Sequence, residues 1–534
     1  MRAFPRFALG VVLALAATAT GCVTIDPNDR DRPPSQPSET ADLAPDQVAG
    51  VPIPDGQIDD AIAQLDGLAQ KLLDHTGIPG MAVAVVHDGE TVYAKGFGVR
   101  AAGSDEPVDA DTVFQLASMS KSIGATVVAQ QVGAGVVGWD DPVIEHLPTF
   151  ALAEPYVTEH VTVGDLYAHR SGLPDHAGDD LEDLGYDRAQ ILERLRLLPL
   201  SPFRITYDYT NFGVTAAAQA VADAAGADWA DLSQRVLYEP LGMSSTSSRF
   251  DDFTARENRA PGHMLVDGEY VAREVRDPDE QSPAGGISSS VNDVAKWLTM
   301  LLADGQFEGR TVVEASALQP ALSPQVVSRA PATPDSRGGF YGYGFNVGTL
   351  ASGRTSVGHA GAFALGAATA FTAVPSADVA IVTLTNAAPI GVPDTLNAEF
   401  VDLVQFGEIR EDWAGLYEKA YSAYADPKGS LVGQEPPTDP APAKPLDRYT
   451  GIYDNPYFGP ARIDQRDGSL ALTIGPVGQT YPLTHWDGDV FTFEVTGENA
   501  PDGTISTATF TPDAVTFEYW NSDGMGTFTR QGAS

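Results

Sequence analysis

Seven lysines are scattered along the 534 residues, and only Lys121 has a serine three positions before it, in Ser118-Met-Ser-Lys121. Residues i and i+3 of a helix share a face, so the ammonium of Lys121 can reach the Ser118 hydroxyl. A buried amine loses its proton readily and can then accept the serine's proton, which turns the serine oxygen into a nucleophile. The surrounding Phe114-Gln-Leu-Ala-Ser-Met-Ser-Lys-Ser-Ile-Gly-Ala-Thr-Val-Val128 reads as a turn entering a buried helix. The competing reading is an N-cap serine followed by a surface lysine. Ser-x-x-Lys by itself is common in a chain of this length, so the company it keeps decides its weight.

That company is a series of blocks in a fixed order. Gly77-Ile-Pro-Gly-Met-Ala-Val-Ala-Val85 precedes the serine, and Trp139-Asp-Asp-Pro-Val143 with Leu147-Pro148 follows it. Next come Val161-Thr-Val-Gly-Asp-Leu-Tyr-Ala-His-Arg-Ser-Gly-Leu-Pro174, Pro240-Leu-Gly-Met243 and Pro283-Ala-Gly-Gly-Ile-Ser-Ser-Ser290. Over residues 58–406 this order resembles the serine beta-lactamase-like superfamily, in particular its branch of class C beta-lactamases, D-aminopeptidases and esterases, the peptidase S12-like enzymes.

The resemblance implies an α+β fold, with an antiparallel sheet flanked by helices and a helical subdomain. It also implies further site residues. Tyr209-Thr-Asn211 matches the family's Tyr-x-Asn motif. A phenol beside a lysine ammonium ionises more easily, so Tyr209 would act as base and then as acid to the leaving group. Asn211 would orient the lysine or hydrogen-bond a substrate amide. The alternative register, Tyr207-Asp-Tyr209, ends on a residue without a carboxamide. Gly358-His359-Ala360-Gly361 stands where relatives carry Lys-Thr-Gly or His-x-Gly. Gly361 would let a substrate backbone lie along its strand, and His359 would offer a hydrogen bond or partial charge. The backbone N–H groups of Ser118 and Ala362 would form the oxyanion hole. No cofactor is implied. His169 and His176 show no ligand spacing, so no metal is expected.

The elements that must position these residues are legible in part. Apolar residues at Ile58, Ile62, Leu65, Leu68, Leu72 and Leu73 keep helical spacing until Gly77-Ile-Pro-Gly80. Runs 81–86 and 91–98 flank His87-Asp-Gly-Glu90, a hairpin signal. Helical stretches fill the middle, and strand-rich runs return at 341–347 and 369–386. This pattern predicts a sheet whose edges come from both ends of the segment, packed by helices. Residues 412–425 read as a helix, after which 434–445 hold five prolines in twelve residues, an extended linker. Beyond it, Ser469-Leu-Ala-Leu-Thr-Ile474, Val490-Phe-Thr-Phe-Glu494 and Ala514-Val-Thr-Phe-Glu-Tyr-Trp520 alternate like strands of a small sandwich or barrel. This last segment resembles the lipocalin-like barrel of some relatives. Tyr457, Phe458, Trp486 and Trp520 are its expected core, and it either caps the site's mouth or mediates homo-oligomer assembly.

Hydrophobic residues make up 43% and charged residues 19%, which excludes wholesale disorder. The 32 basic against 72 acidic residues give −40, with no Lys/Arg cluster, so nucleic acid is a poor partner. The single cysteine rules out an intramolecular disulfide. It is Cys22, behind Arg2, Arg6, an apolar run from Phe7 to Ala17 and the small-residue end Ala19-Thr20-Gly21. The run is too short for the roughly twenty residues of a membrane span, and its end resembles a bacterial lipobox. Simple signal cleavage nearby is the alternative. The expected organisation is a lipoprotein signal at 1–22, a disordered tether at 23–55 and a hydrolase domain at 56–408. A helix and Pro-rich linker follow at 409–445, then a barrel at 446–534.

The expected protein is an exported serine hydrolase, lipid-anchored in a bacterial cell envelope and acting through a Ser118 acyl-enzyme. An ester, amide or short peptide, some with D-stereochemistry, is a better substrate than a beta-lactam. Histidine in the third motif weakens the clamp on a carboxylate. The rival from another class is a non-catalytic, penicillin-binding-like envelope sensor or scaffold.

Overall fold

The computed structural model describes residues 48–273 and 275–532. The expected signal segment with Cys22, the tether up to residue 47 and residues 533–534 lie outside the described residues. The end of the expected tether, from 49 to 55, lies against the fold: Gly50 N donates to Ser352 O at 2.8 Å and Arg354 Nη2 to Val51 O at 3.4 Å.

Two helices come first, α1 (Gln57–Ile62) and α2 (Leu65–Thr76), so the predicted single stripe is broken at Ala63-Gln64. Gly77 ends α2 in a left-handed conformation, φ +68, which costs glycine nothing. The hairpin β1 (Gly80–His87) and β2 (Glu90–Gly98) turns at Asp88-Gly89, as its Asp-Gly pair predicts. Four longer helices follow: α3 (Ser120–Gly133), α4 (Asn211–Ala224), α5 (Val291–Leu302) and, near the end of this part, α6 (Val392–Phe406).

Strands β3 (Val326–Arg329), β4 (Gly339–Tyr341), β5 (Asn346–Thr349), β6 (Thr355–Phe363), β7 (Ala367–Val374) and β8 (Val379–Thr385) join the hairpin in one antiparallel sheet. Its order is β2-β1-β8-β7-β6-β5-β4-β3. The expectation that both ends of the segment supply edges is therefore corrected. β2 is an edge, but β8 lies in the interior between β1 and β7. Every residue of β8 is buried, which requires cover on both faces. Alternation divides that cover. Met81, Val83 and Val85 of β1 pack with α1, α2 and α6, while Ala82, Ala84 and Val86 join the larger core that holds α3, α4 and α5.

The run 341–347 is likewise two strands rather than one. Gly344 in the turn between them sits at φ +78, and a Cβ there would come within 2.6 Å of Lys121 O. This turn packs on α3, the helix that carries Lys121.

After α6, Asp412 caps α7 (Trp413–Tyr421) by accepting from Gly415 N at 3.2 Å. The proline-rich stretch forms no helix or strand and lies along the following barrel, with Gly488 N donating to Ala441 O at 2.8 Å. The barrel is closed and antiparallel. Its eight strands are β9 (Gly451–Asp454), β10 (Ala461–Arg466), β11 (Ser469–Ile474), β12 (Gln479–Asp487), β13 (Val490–Glu494), β14 (Ile505–Phe510), β15 (Ala514–Phe517) and β16 (Thr527–Arg530). β9 pairs with β16 to close it.

Closure leaves no free sheet edge, and the interior is filled by side chains, including Tyr453, Phe493, Phe517 and Phe528. Tyr457, Phe458 and Trp520 are buried as expected. Trp486 is not. It is half-buried at an irregular step in the pairing of β12 with β13, between His485 and Asp487, where an extra residue leaves the alternation. The run ending at Trp520 stops as a strand at Phe517, and a short turn at Tyr519–Asn521 tucks the indole inward. The barrel interior and the hydrolase core form one continuous apolar cluster.

Candidate active site

A two-residue ribbon aims the nucleophile. Phe114–Gln115 pairs with Ser288–Ser289, and Leu116 N donates to Ile287 O at 2.8 Å. Ala117 then takes φ +46, a conformation a non-glycine residue holds only under constraint. From there the chain turns through Ala117–Met119 into α3. That helix is buried on every side, Lys121 included at 0% exposure.

Lys121 Nζ lies 3.0 Å from Ser118 Oγ, 2.7 Å from Asn211 Oδ1 and 2.9 Å from Ala284 O. Burial pushes this amine down to about 7, against a smaller upward pull from the Asp179 charge. In its neutral form Nζ has two N–H groups and one lone pair. Donating the two to Asn211 Oδ1 and Ala284 O leaves the lone pair for the Ser118 hydroxyl proton.

Asn211 opens α4 and is held from behind. Its Nδ2 donates to Asp179 Oδ2 at 2.9 Å, and the same oxygen accepts from His176 Nδ1 at 2.8 Å. Of the two roles foreseen for Asn211, the geometry is that of orienting the lysine. Tyr209 packs its ring 4.6 Å from Nζ, between the imidazoles of His169 and His176 at 4.4 and 5.8 Å. The expectation that its phenol ionises easily is corrected. Burial raises Tyr209 well above the ordinary phenol, and the Ser118 hydroxyl offsets only part of that. Tyr209 is thus a proton donor in the resting site. Tyr207 stands aside, its ring edge-on to His169 at 5.6 Å.

The block from Val161 to Pro174 is a scaffold. Thr162 and Asp165 form a capping box on the helix Val163–Tyr167, and the buried Asp165 carboxylate takes Arg170 and Arg204 at 2.7 Å each. His169 Nδ1 accepts from Thr210 N at 3.1 Å, which sets the backbone one residue after Tyr209.

The third motif lies on β6. His359 Nε2 accepts from Tyr341 Oη at 2.7 Å and its Nδ1–H donates to Ala360 O at 2.6 Å. Burial pushes the imidazole down to about 3, with Lys121 reinforcing the shift, so it is neutral at physiological pH. His359 therefore brings no full positive charge to the site, and both its ring nitrogens are engaged within the protein. Gly361 serves a second purpose besides admitting substrate. A Cβ on it would lie 2.2 Å from Leu116 O and 2.9 Å from Ser118 N. Only glycine lets β6 lie this close to the nucleophile's turn, which sets the Ser118 amide beside the Ala362 segment.

Ser118, Tyr209, Asn211, His359, Gly361 and Ala362 line one cavity of about 750 Å³. The structure thus brings together every residue expected at the site, with Lys121 directly behind. What the sequence did not single out is Asp179, and it left open whether the barrel forms the roof. Tyr457, Phe458, Tyr519 and Trp520 of the barrel, with Tyr421 and Tyr424 after α6, complete the wall. Tyr186 Oη donates to Phe458 O at 2.7 Å, and Asn499 Nδ2 to Asp183 Oδ2 at 2.9 Å, fastening barrel to hydrolase. Of the two roles considered for the barrel, capping the mouth is realised in the fold.

Residues 65–406 match the family described as beta-lactamase. The chain belongs to the beta-lactamase family. It is a serine hydrolase of that family, and a separate match, to a domain of unknown function (DUF3471), covers 435–528, where the barrel lies. An unguisins hydrolase of Aspergillus violaceofuscus is 28% identical across 78% of this chain and 80% of its own. A D-aminopeptidase of Brucella anthropi is 27% identical across 53% of this chain and 52% of its own. Penicillin-binding protein 4 of Amycolatopsis lactamdurans is 29% identical across 66% and 90%. Among solved structures, an octameric penicillin-binding protein homologue from Pyrococcus abyssi superposes with TM-score 0.58 at 19% identity, covering 86% of this chain and 98% of that one. A class C beta lactamase from Rhodobacter sphaeroides gives 0.51 at 21% identity, covering 64% and 98%. This beta-lactamase-family hydrolase therefore carries its serine and lysine on the shared fold, with a barrel closing over them.

Proposed function

We propose that the protein cleaves ester or amide bonds through an acyl-enzyme on Ser118. Lys121 takes the hydroxyl proton as Oγ attacks the carbonyl, and the Ser118 and Ala362 N–H groups hold the developing oxyanion. Tyr209, protonated at rest, donates to the leaving group and then accepts a proton from the deacylating water, while Lys121 returns its proton to Ser118 Oγ as the acyl group departs. The observation that carries this reading is the buried Lys121 Nζ, 3.0 Å from Ser118 Oγ and depressed to about 7. A binding-only pocket has no use for an amine so prepared.

The substrate is read as an ester or short-peptide amide rather than a beta-lactam. A neutral His359 with both nitrogens engaged offers no cation for a substrate carboxylate. The relatives named for unguisins hydrolysis and D-aminopeptidase activity support the same direction. The test is a stopped-flow burst with p-nitrophenyl acetate followed by intact-mass and peptide mapping. A burst near one equivalent with the acetyl group on Ser118 is expected. Acetyl on any other residue, or no adduct during turnover, overturns the reading.

The reading extends to location. Arg2 and Arg6, the short apolar run and the lone cysteine at its end support export with diacylglyceryl attachment at Cys22. Cys22→Ser is accordingly expected to move the protein from the membrane to the soluble fraction and to abolish palmitate labelling. Unchanged membrane association without label defeats the anchor.

A further inference from the structure

The barrel contributes more than a roof. Between β13 and β14 its loop carries Glu498 into the same cavity that holds Ser118 and Gly361. The Glu498 carboxylate accepts from two successive backbone amides, Ala364 N at 2.8 Å and Leu365 N at 3.2 Å. Those amides belong to the turn that leaves β6, directly past Ala362. Beside them lies the Arg276 guanidinium, stacked on Phe363 at 5.3 Å and paired with Glu182 at 2.6 Å. Its Nε is buried without a hydrogen-bond partner.

Two adjacent amides with a guanidinium alongside form a receptor for an anion. It stands at the end of the strand along which an extended substrate would lie. In this chain the receptor is filled by the chain's own carboxylate. Arg276 faces the carboxyl groups of Glu182, Glu498 and Asp183, and burial raises Glu182 and Glu498 to about 7, so both are fully charged only above that pH. The open part of the cavity adds Asp175, Asp180 and Asp523, each raised above the usual carboxylate range chiefly by burial, and one cation, Lys428, whose Nζ donates to Asn499 O at 2.8 Å. A second anion entering here meets two amides whose N–H groups Glu498 has already taken.

We propose that Glu498 is a specificity-determining residue whose carboxylate occupies the anion receptor past β6, so that the enzyme discriminates against substrates bearing a carboxylate at that end. The inference rests on Ser118 hydrolysis as read above, and it assigns the neutral or cationic substrate class to a residue of the barrel rather than to the third motif alone. Like-charge juxtaposition in a desolvated site costs enough for at least about tenfold discrimination.

The test compares, at about pH 8.5 where Glu498 is ionised, kcat/KM for the mono-p-nitrophenyl ester of glutaric acid with that of its methyl ester, two probes that differ in one charge. Wild type is expected to prefer the methyl ester by about tenfold or more. Glu498→Gln, which keeps the shape but loses the charge, and Glu498→Ala are expected to bring the ratio within about threefold. Glu498→Asp is expected to retain it. A wild-type ratio near one overturns the proposal without any variant, as does a ratio that persists in both the Gln and the Ala proteins. Because the readout is a ratio, a general loss of rate does not mimic the expected result. Failure of the hydrolase reading is separate: it shows as turnover of the methyl ester with no acyl group on Ser118.

Discussion

Ser118→Ala is expected to lower kcat/KM for p-nitrophenyl acetate by about 10⁴-fold or more, and to remove the burst entirely. Loss of a nucleophile that acts as a unit with its base typically removes all covalent catalysis and leaves only what binding and oxyanion donors supply. The geometry favours a clean outcome. The substitution deletes one oxygen, and Lys121 Nζ retains Asn211 Oδ1 at 2.7 Å and Ala284 O at 2.9 Å. Ser118 N, the oxyanion donor, is a backbone group and survives. The ribbon pairing Phe114 with Ser289 and the Leu116–Ile287 bond make no use of the hydroxyl. Thermal midpoint should therefore change by no more than a few degrees while activity disappears. Steady-state rates together with calorimetry check both halves, and turnover within tenfold of wild type would remove Ser118 from the mechanism.

The pair at the centre was legible because its geometry is local. A serine three residues before a lysine at the entry of a buried helix places the two groups from spacing alone. The hairpin at Asp88-Gly89 and the end of α2 at Gly77 were legible for the same reason, since backbone conformation there is a property of one or two residues. The features missed depend on what packs around a residue. Tyr209 reads as an easily ionised phenol beside a cation, but burial outweighs that neighbour. Asp179 has no periodic or motif signal. It matters because the loop carrying it folds over the start of α4, where its Oδ2 meets both Asn211 and His176.

The interior place of β8 has a mark in its own residues. Val379-Ala-Ile-Val-Thr-Leu-Thr385 is apolar on both faces, the mark of a strand flanked on both sides rather than of an edge. For the barrel, strand alternation identified the elements but not their docking. Glycines 185 and 475 record that docking, since a Cβ on either would come within 2.7 Å of Val477 Cγ1 or 2.4 Å of Leu184 O. Such close approaches are invisible until the two surfaces meet.

Lys121→Met is expected to cut kcat by about 10²–10⁴-fold, with KM for a small neutral ester changed far less. The loss falls on kcat because Lys121 lies behind the cavity wall and touches Ser118 rather than substrate. The sign of the pH dependence follows from its shift. Burial favours the neutral amine, so Nζ gives up its proton near pH 7 rather than near 10.5. Below pH 7 the ammonium donates to Ser118 Oγ and cannot take a proton from it. Above pH 7 the lone pair is free. Wild-type kcat/KM for a neutral ester should therefore rise with pH across the range near 7, where Asp180 and Glu498 of the same cavity also titrate, and Lys121→Met identifies the part that belongs to the amine. His359 cannot produce that limb, because its imidazole is already neutral down to about 3. Nor can Tyr209, which holds its proton far above this range. Lys121→Arg separates charge from basicity, since a guanidinium stays protonated throughout and no alkaline recovery should appear. Rates measured from pH 5 to 9 decide the matter. An acid limb unchanged in Lys121→Met would place the base elsewhere. A flat wild-type profile would mean that the amine is never the proton acceptor in the rate-limiting step.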